Sequence, residues 1–193
     1  MTNGTIKSLS FDFLPSPESN DHQVRPAVDR LDFLEQVGEG GLGIDPPEFF
    51  TQSALYEGGD LLVGRCSCGV VGCGDVFVTV DCIDAHIVWK DHRGGVHVFD
   101  RDRYIATVEQ ASIATDWESP QRCAERLISK LDFSSVEQTG HVYEWASTRI
   151  GKQKITLSFR HHGKQRLFEI PWNATDPEDA ARKVRRWISE FAI

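Results

Sequence analysis

The chain has 193 residues, of which 40% are hydrophobic and 26% charged, enough for one large globular domain or two small ones. It lacks an apolar stretch long enough to cross a bilayer, and its N-terminus lacks the basic and then apolar order of a signal peptide. These absences predict a cytoplasmic protein without a membrane anchor. Residues 1–60 hold 11 acidic and 3 basic residues and account for the whole formal charge of -8. An acidic segment repels phosphate backbones, so nucleic-acid binding is not expected, whereas a basic partner would be attracted.

The N-terminal third is predicted to hold one strand, one helix and a long loop. Apolar and polar residues alternate over 8–14, which predicts a strand. Apolar residues recur at helical spacing over 27–37 and predict a short helix with Gly38 available as its C-cap. Residues 39–59 are rich in glycine and proline, which predicts either a long packed loop or a loop that holds a brief helical turn.

From residue 61 onward, short alternating apolar runs are separated by turn residues, which is typical of an antiparallel meander. The predicted strands cover residues 61–63, 76–80, 85–90, 96–99 and 104–108. The charged residues 100–103 are predicted to form a turn before the last of these strands. Ser119 and Pro120 then provide the N-cap and first-turn proline of a helix over 119–131, on whose apolar stripe Cys123 is expected to belong to the core.

The last third shows the same order of elements. The predicted strands cover residues 141–145, 154–159 and 166–170, and a capped amphipathic helix covers 177–191. His161 and His162 fall in a predicted turn and are interpreted as solvated residues. Ala-Thr-Asp occurs at both 114–116 and 174–176, so residues 61–131 and 141–193 form the two halves of a hypothetical duplication.

Together these elements predict a single α+β domain over residues 1–193. In it, antiparallel sheet is covered by the helices near 27–37, 119–131 and 177–191.

Unusual residues converge in a cysteine-bearing segment at 66–74. If residues 69–72 form a four-residue hairpin loop, Cys68 and Cys73 stand opposite each other across the ladder. Cys66 shares the face of Cys68 because the two differ by two positions on a strand. Three thiols would then point the same way, and clustered thiolates suit a borderline soft ion such as zinc.

The spacing leaves the chemistry of this segment open between three interpretations. In the first interpretation the three cysteines Cys66, Cys68 and Cys73 are zinc ligands, and the fourth ligand comes from His86, His92, His97 or Cys82. Alternatively, they are small buried hydrophobic residues, or Cys68 and Cys73 form a redox pair.

The stretch from Leu61 to Asp91 contains Cys-Ser-Cys-Gly-Val-Val-Gly-Cys-Gly and then Val-Trp-Lys-Asp. It resembles small uncharacterised bacterial proteins that have a C-x-C-G-x-x-G-C-G turn followed by an apolar-x-Trp-x-Asp strand. The resemblance covers about thirty residues. It implies a hairpin in a bacterial cytoplasmic protein, and it implies no activity.

No phosphate-binding loop, nucleophile elbow or metalloprotease motif occurs in the sequence, which favours a non-catalytic role. The leading hypothesis is a bacterial binding protein whose acidic N-terminal third engages a basic partner, as an immunity protein would engage a cationic toxin. The predicted partner-binding residues are Asp29, Asp32, Glu35, Glu39, Asp45 and Glu48. The competing hypothesis is a zinc-binding protein or metal-dependent enzyme that uses Cys66, Cys68 and Cys73.

Overall fold

A computed structural model describes residues 5–16, 22–38, 41–68 and 72–191. The chain divides into two compact units, Met1–Trp117 and Glu118–Ile193. Each unit combines antiparallel sheet with helices around its own apolar core, so the α+β class is confirmed. Within the described ranges, no helix has the length and apolar character needed to span a membrane.

The first unit contains two antiparallel sheets. Its elements are β1 (Leu9–Pro15), β2 (His22–Val28), β3 (Leu31–Asp32), α1 (Phe33–Gln36), α2 (Pro46–Phe50), α3 (Ala54–Glu57), β4 (Gly59–Gly64), β5 (Val76–Ile83), β6 (His86–Asp91), β7 (Val96–Asp100) and α4 (Arg101–Ser112). Strands β1 to β3 form one sheet and β4 to β7 the other, each in sequence order. A single core draws on both sheets, with Trp89 of β6 fully buried at its centre against Phe33 and Tyr104.

The helix predicted over residues 27–37 is wrong, because that segment is a hairpin followed by one helical turn. Asp29 and Arg30 adopt left-handed conformations, with φ of 53° and 70°. They reverse the chain, so that β2 pairs with the two-residue strand β3. Asp32 then begins α1 by accepting the N–H of Glu35. Apolar residues that fit a helical spacing are therefore shared between a hairpin and a short helix.

The strand predicted over residues 104–108 is also wrong, because helix α4 begins directly after β7. Asp100, which was assigned to a turn, is the N-cap and accepts the N–H of Arg103 at 3.0 Å. Tyr104 and Val108 lie four residues apart and are both buried, the spacing of one helix face.

The second unit packs helices against one three-stranded sheet. Its elements are α5 (Pro120–Ser129), α6 (Ser134–Glu137), β8 (His141–Ser147), β9 (Lys154–His161), β10 (Lys164–Pro171) and α7 (Pro177–Phe191). The central strand β9 alternates, so that Ile155, Leu157 and Phe159 enter the core with Ala180 and Val184 of α7. The three strands and two long helices predicted for this region are confirmed. The grouping of the whole chain into one domain with duplicated halves stays a prediction.

One long-range backbone contact in the first unit places the cysteine segment. Strand β4 bulges after Leu62 and ends at Gly64. The next residue, Arg65, pairs instead with Leu42 through two reciprocal backbone hydrogen bonds of 2.8 Å. Gly41 allows this approach, since a Cβ there would lie 2.0 Å from the Arg65 carbonyl oxygen. The chain is thus held by main-chain bonds immediately before Cys66.

Replacing Gly41 with alanine is expected to destabilise the first unit, because its Cβ would overlap a backbone atom that cannot move aside as a flexible side chain can. We expect the free energy of unfolding to fall by about 2 kcal/mol or more, as for other overpacked sites. Urea unfolding followed by tryptophan fluorescence measures the change. Gly151→Ala is the matched control, since its Cβ would make only ordinary contacts at 3.5 Å. Equal stability of the two variants would contradict the role given to Gly41.

A candidate thiolate metal centre

Three cysteine sulfurs gather beside the end of β4. The Sγ atoms of Cys66, Cys68 and Cys73 all lie within 4.8 Å of one another. Cys66 is half-buried, whereas Cys68 and Cys73 are exposed. The predicted clustering of these three thiols is therefore confirmed, and exposure argues against their interpretation as buried hydrophobic residues.

The backbone that produces the cluster differs from the predicted ladder. Residues 65–68 and 72–75 lie outside strands β4 and β5, so Cys68 and Cys73 are not cross-strand partners. Residues 69–71, the predicted tip of the hairpin loop, lie outside the described residues. The β4–β5 ladder ends at Gly64, and the next residue, Arg65, forms a backbone bridge with Leu42. The thiols therefore approach one another across a loop and not along a pleated ribbon.

The side chain of Arg65 joins the two ends of this loop. Its guanidinium donates two hydrogen bonds to the Glu48 carboxylate, at 2.5 and 3.2 Å. Its Nε faces Asp75 Oδ1 at 3.5 Å, and both side chains are 16% exposed. Asp75 in turn accepts the N–H of Gly72 at 3.2 Å. Because Arg65 precedes the first cysteine and Asp75 follows the last, their ion pair closes the loop at its base.

Gly74 lets the two arms of the loop come together beside Cys66. Its φ is +67°, a left-handed conformation that favours glycine. A Cβ at this position would lie 3.1 Å from the Cβ of Cys66. A larger residue here would push the arm carrying Cys73 away from Cys66.

Crowding perturbs the ionisation of the third thiol. The pKa of Cys73 is raised from its ordinary value of 9.0 to about 11, first by a hydrogen bond with Cys68 and then by one with Cys66, and by the charges those neighbours would carry. A neighbouring thiolate repels a second negative charge and holds on to the shared proton. Without a cation, the cluster therefore retains a proton that an isolated cysteine would have lost at the same alkaline pH.

The predicted fourth ligands do not join the three sulfurs. In the described part of the chain, the cluster of potential ligands contains Cys66, Cys68 and Cys73 alone. His97 is buried, with Nδ1 3.2 Å from Lys7 Nζ and Nε2 3.3 Å from Asp91 Oδ2, so both its nitrogens are engaged elsewhere.

The other candidate ligands are placed as follows. His86 lies at the start of β6, and His92 in the turn after that strand. Cys82 contacts the Tyr56 carbonyl oxygen at 3.5 Å. Cys123, expected in the core, is half-buried on α5, where burial raises the pKa of its thiol.

At least three of the six predicted partner-binding acids contact groups of their own chain. Asp29 accepts the N–H of Ser8 at 2.9 Å. Asp32 forms an ion pair with Arg25 at 2.7 Å and caps α1. Glu48 binds Arg65 at the cysteine loop. Part of the acidity that suggested a partner is therefore neutralised within the first unit.

The other three predicted acids differ in position. Glu35 is exposed on α1, and Asp45 stands at the N-cap position of α2. Glu39 lies outside the described residues.

The residues that sequence reasoning missed are those that hold the loop, namely Gly41, Leu42, Arg65 and Asp75. The one available signal was the position of Arg65 and Asp75, a charged pair bracketing the three cysteines. The Leu42 contact has no local signature.

Comparison with known proteins gives this chain no family. No protein-family model matches the sequence, and searches of curated proteins and of solved structures find no significant match.

The raised pKa of Cys73 predicts a late thiol titration in the metal-free protein. Thiolate absorbance near 240 nm should show one cysteine ionising with an apparent pKa of about 11. In Cys68→Ala the pKa of Cys73 should fall toward 9.0, because the hydrogen bond with Cys68, the largest cause of the shift, is lost. Cys123→Ala, which changes a thiol on α5, should leave the late step in place. A late step that survives in Cys68→Ala and disappears in Cys123→Ala would contradict the assignment.

Proposed function

We propose that this chain is a thiolate metal-binding protein in which Cys66, Cys68 and Cys73 hold one Zn²⁺ ion. The observation that carries the proposal is the mutual approach of the three sulfurs to within 4.8 Å. The exposure of Cys68 and Cys73 supports it as well, since exposed cysteines gain little from apolar packing.

The sulfur spacing is close to what zinc requires. A Zn–S bond of about 2.3 Å in a tetrahedral site places pairs of sulfurs about 3.8 Å apart. Sulfurs within 4.8 Å of one another reach that spacing through shifts of about 1 Å, which side-chain rotation can supply. No rearrangement of strands β4 and β5 is needed.

Binding of a divalent cation would offset the electrostatic cost of holding thiolates close together. The neighbouring thiols raise the pKa of Cys73 and so oppose the loss of its proton. A coordinated cation stabilises thiolates strongly enough to displace the thiol protons at neutral pH. Zinc affinity should therefore increase with pH as protons compete less for the sulfurs.

The surroundings of the cluster favour a ready-made site. The Leu42 bridge and the Arg65–Asp75 ion pair fix both ends of the loop before any ion arrives. Three ligands leave one tetrahedral position for water or an external ligand, and two of the three sulfurs face solvent. A zinc ion in such a site would be accessible to solvent and to an external ligand.

The binding of a basic protein by the acidic N-terminal third stays a separate prediction. Glu35, which is exposed, is the best of the described acids for it, whereas Asp29, Asp32 and Glu48 serve contacts within the chain.

Metal content and cobalt substitution test the proposal. Protein purified without chelator should carry about one equivalent of zinc, and its Co²⁺ form should show sulfur-to-cobalt charge transfer in the near ultraviolet with tetrahedral d–d bands. Each of Cys66→Ser, Cys68→Ser and Cys73→Ser should lose about one third of the charge-transfer intensity and at least tenfold in Zn²⁺ affinity.

Cys82→Ser is the matched control, because the Cys82 sulfur contacts the Tyr56 carbonyl oxygen and not the cluster. This variant should keep both the charge-transfer intensity and the Zn²⁺ affinity. Cobalt spectra without sulfur charge transfer, or equal Zn²⁺ affinity in Cys73→Ser and Cys82→Ser, would overturn the proposal.

A further inference from the structure

A second group of metal-ligating side chains lies in the second unit, where three histidines meet at one end of the sheet. His141 of β8 and His161 of β9 are direct cross-strand partners. Their rings stack with centroids 4.0 Å apart and planes 10° from parallel. His162 follows in the turn, in a left-handed conformation with φ of 48°, and its ring lies 4.1 Å from that of His161. His141 and His161 are half-buried, so the expectation of a solvated turn histidine holds for the exposed His162 and not for His161.

The hydrogen bonds of Thr139 fix which nitrogen of His141 carries a proton. The Thr139 hydroxyl donates to the Val136 carbonyl oxygen at 2.7 Å. A hydroxyl has one proton, so the same Oγ1 must act as acceptor toward His141 Nδ1, 2.9 Å away. Nδ1 of His141 is therefore the protonated nitrogen. In the neutral ring the lone pair is left on Nε2.

This arrangement is the one that metal-binding histidines use. A ligating imidazole commonly donates its other N–H to an oxygen, which fixes the tautomer and the ring orientation. Phe191 also packs edge-on against His141, with centroids 5.2 Å apart and planes at 89°, and restrains the ring further. His141 is thus positioned as an Nε2 ligand before an ion binds.

The stacked partner supplies the second nitrogen. Two metal–nitrogen bonds of about 2.0–2.1 Å span up to about 4 Å between the nitrogens. The ring centroids of His141 and His161 lie 4.0 Å apart and their planes are 10° from parallel, so the His161 ring would turn out of the stack to direct its nitrogen at the same ion as His141 Nε2. His162 and Arg166 also lie near His161 and interact with it electrostatically.

We propose that His141 and His161 form a two-histidine chelate for a borderline divalent cation of the Cu²⁺, Ni²⁺ and Zn²⁺ class, with water completing the coordination. Imidazole suits these ions, and the expected order of affinity at such a site places Cu²⁺ above Ni²⁺ and Zn²⁺. The site uses no residue of the cysteine loop, so it stands independently of the zinc centre. Arg166 opposes the cation and sets an upper limit on its affinity.

The test uses the full chain with Cys66, Cys68 and Cys73 changed to alanine, so that thiolates do not compete for the ion. Calorimetric titration with Ni²⁺ should show one site on this parent. His141→Ala and His161→Ala should each weaken it at least tenfold. Thr139→Val should weaken it several-fold by releasing the His141 tautomer, and Arg166→Gln should tighten it. His92→Ala, which changes a turn histidine of the first unit, is the matched control and should bind Ni²⁺ as the parent does.

A measurement on the unsubstituted histidines covers the case in which a variant fails to fold. The first equivalent of Cu²⁺ added to the same parent should give an electron paramagnetic resonance spectrum with superhyperfine coupling to two imidazole nitrogens. One coupled nitrogen or none would overturn the proposal. Ni²⁺ affinities of folded His141→Ala and His161→Ala equal to that of His92→Ala would overturn it as well.

Discussion

The reciprocal hydrogen bonds between Leu42 and Arg65 are the contact on which the cysteine loop depends. They hold the backbone one residue before Cys66, directly after the β4–β5 ladder ends, and the thiols stand in the loop that follows. Gly41 permits the contact, and the Arg65 side chain then reaches Glu48 and Asp75. The backbone bridge between Leu42 and Arg65 thereby fixes the start of the loop. It also positions the Arg65 side chain, which forms the ion pair with Asp75.

The loop holds three ionisable thiols close together, and apolar packing contributes little to stabilising them there. Two of the three cysteines are exposed, so their sulfurs gain little from the hydrophobic effect. Their proximity raises the pKa of Cys73, which means that deprotonation is harder there than in an isolated cysteine. A cation coordinated by the thiolates compensates their negative charge, so the proximity of the thiols then favours binding of the cation. The proposed zinc binding would account for the proximity of the three thiols and for the exposure of Cys68 and Cys73.

Local sequence signals predicted part of this structure and failed where distant contacts decide the outcome. The clustering of Cys66, Cys68 and Cys73 followed from their spacing around glycines, although the predicted strand pairing did not form. Helix α4 was recoverable, since Asp100 is a good N-cap and Tyr104 and Val108 share a helix face. The hairpin at Asp29 and Arg30 was not, because neither residue is a glycine that signals positive φ. The Leu42 bridge and the Thr139 hydrogen bonds to Val136 and His141 arise only once the chain has folded.

X-ray absorption at the zinc edge of the purified protein tests most directly whether the three thiols bind one ion together. A zinc ion held by Cys66, Cys68 and Cys73 should show a shell of three sulfurs at about 2.3 Å and one oxygen or nitrogen at about 2.0–2.1 Å. A shell of oxygen and nitrogen without sulfur, in protein that retains stoichiometric zinc, would contradict the proposed zinc centre.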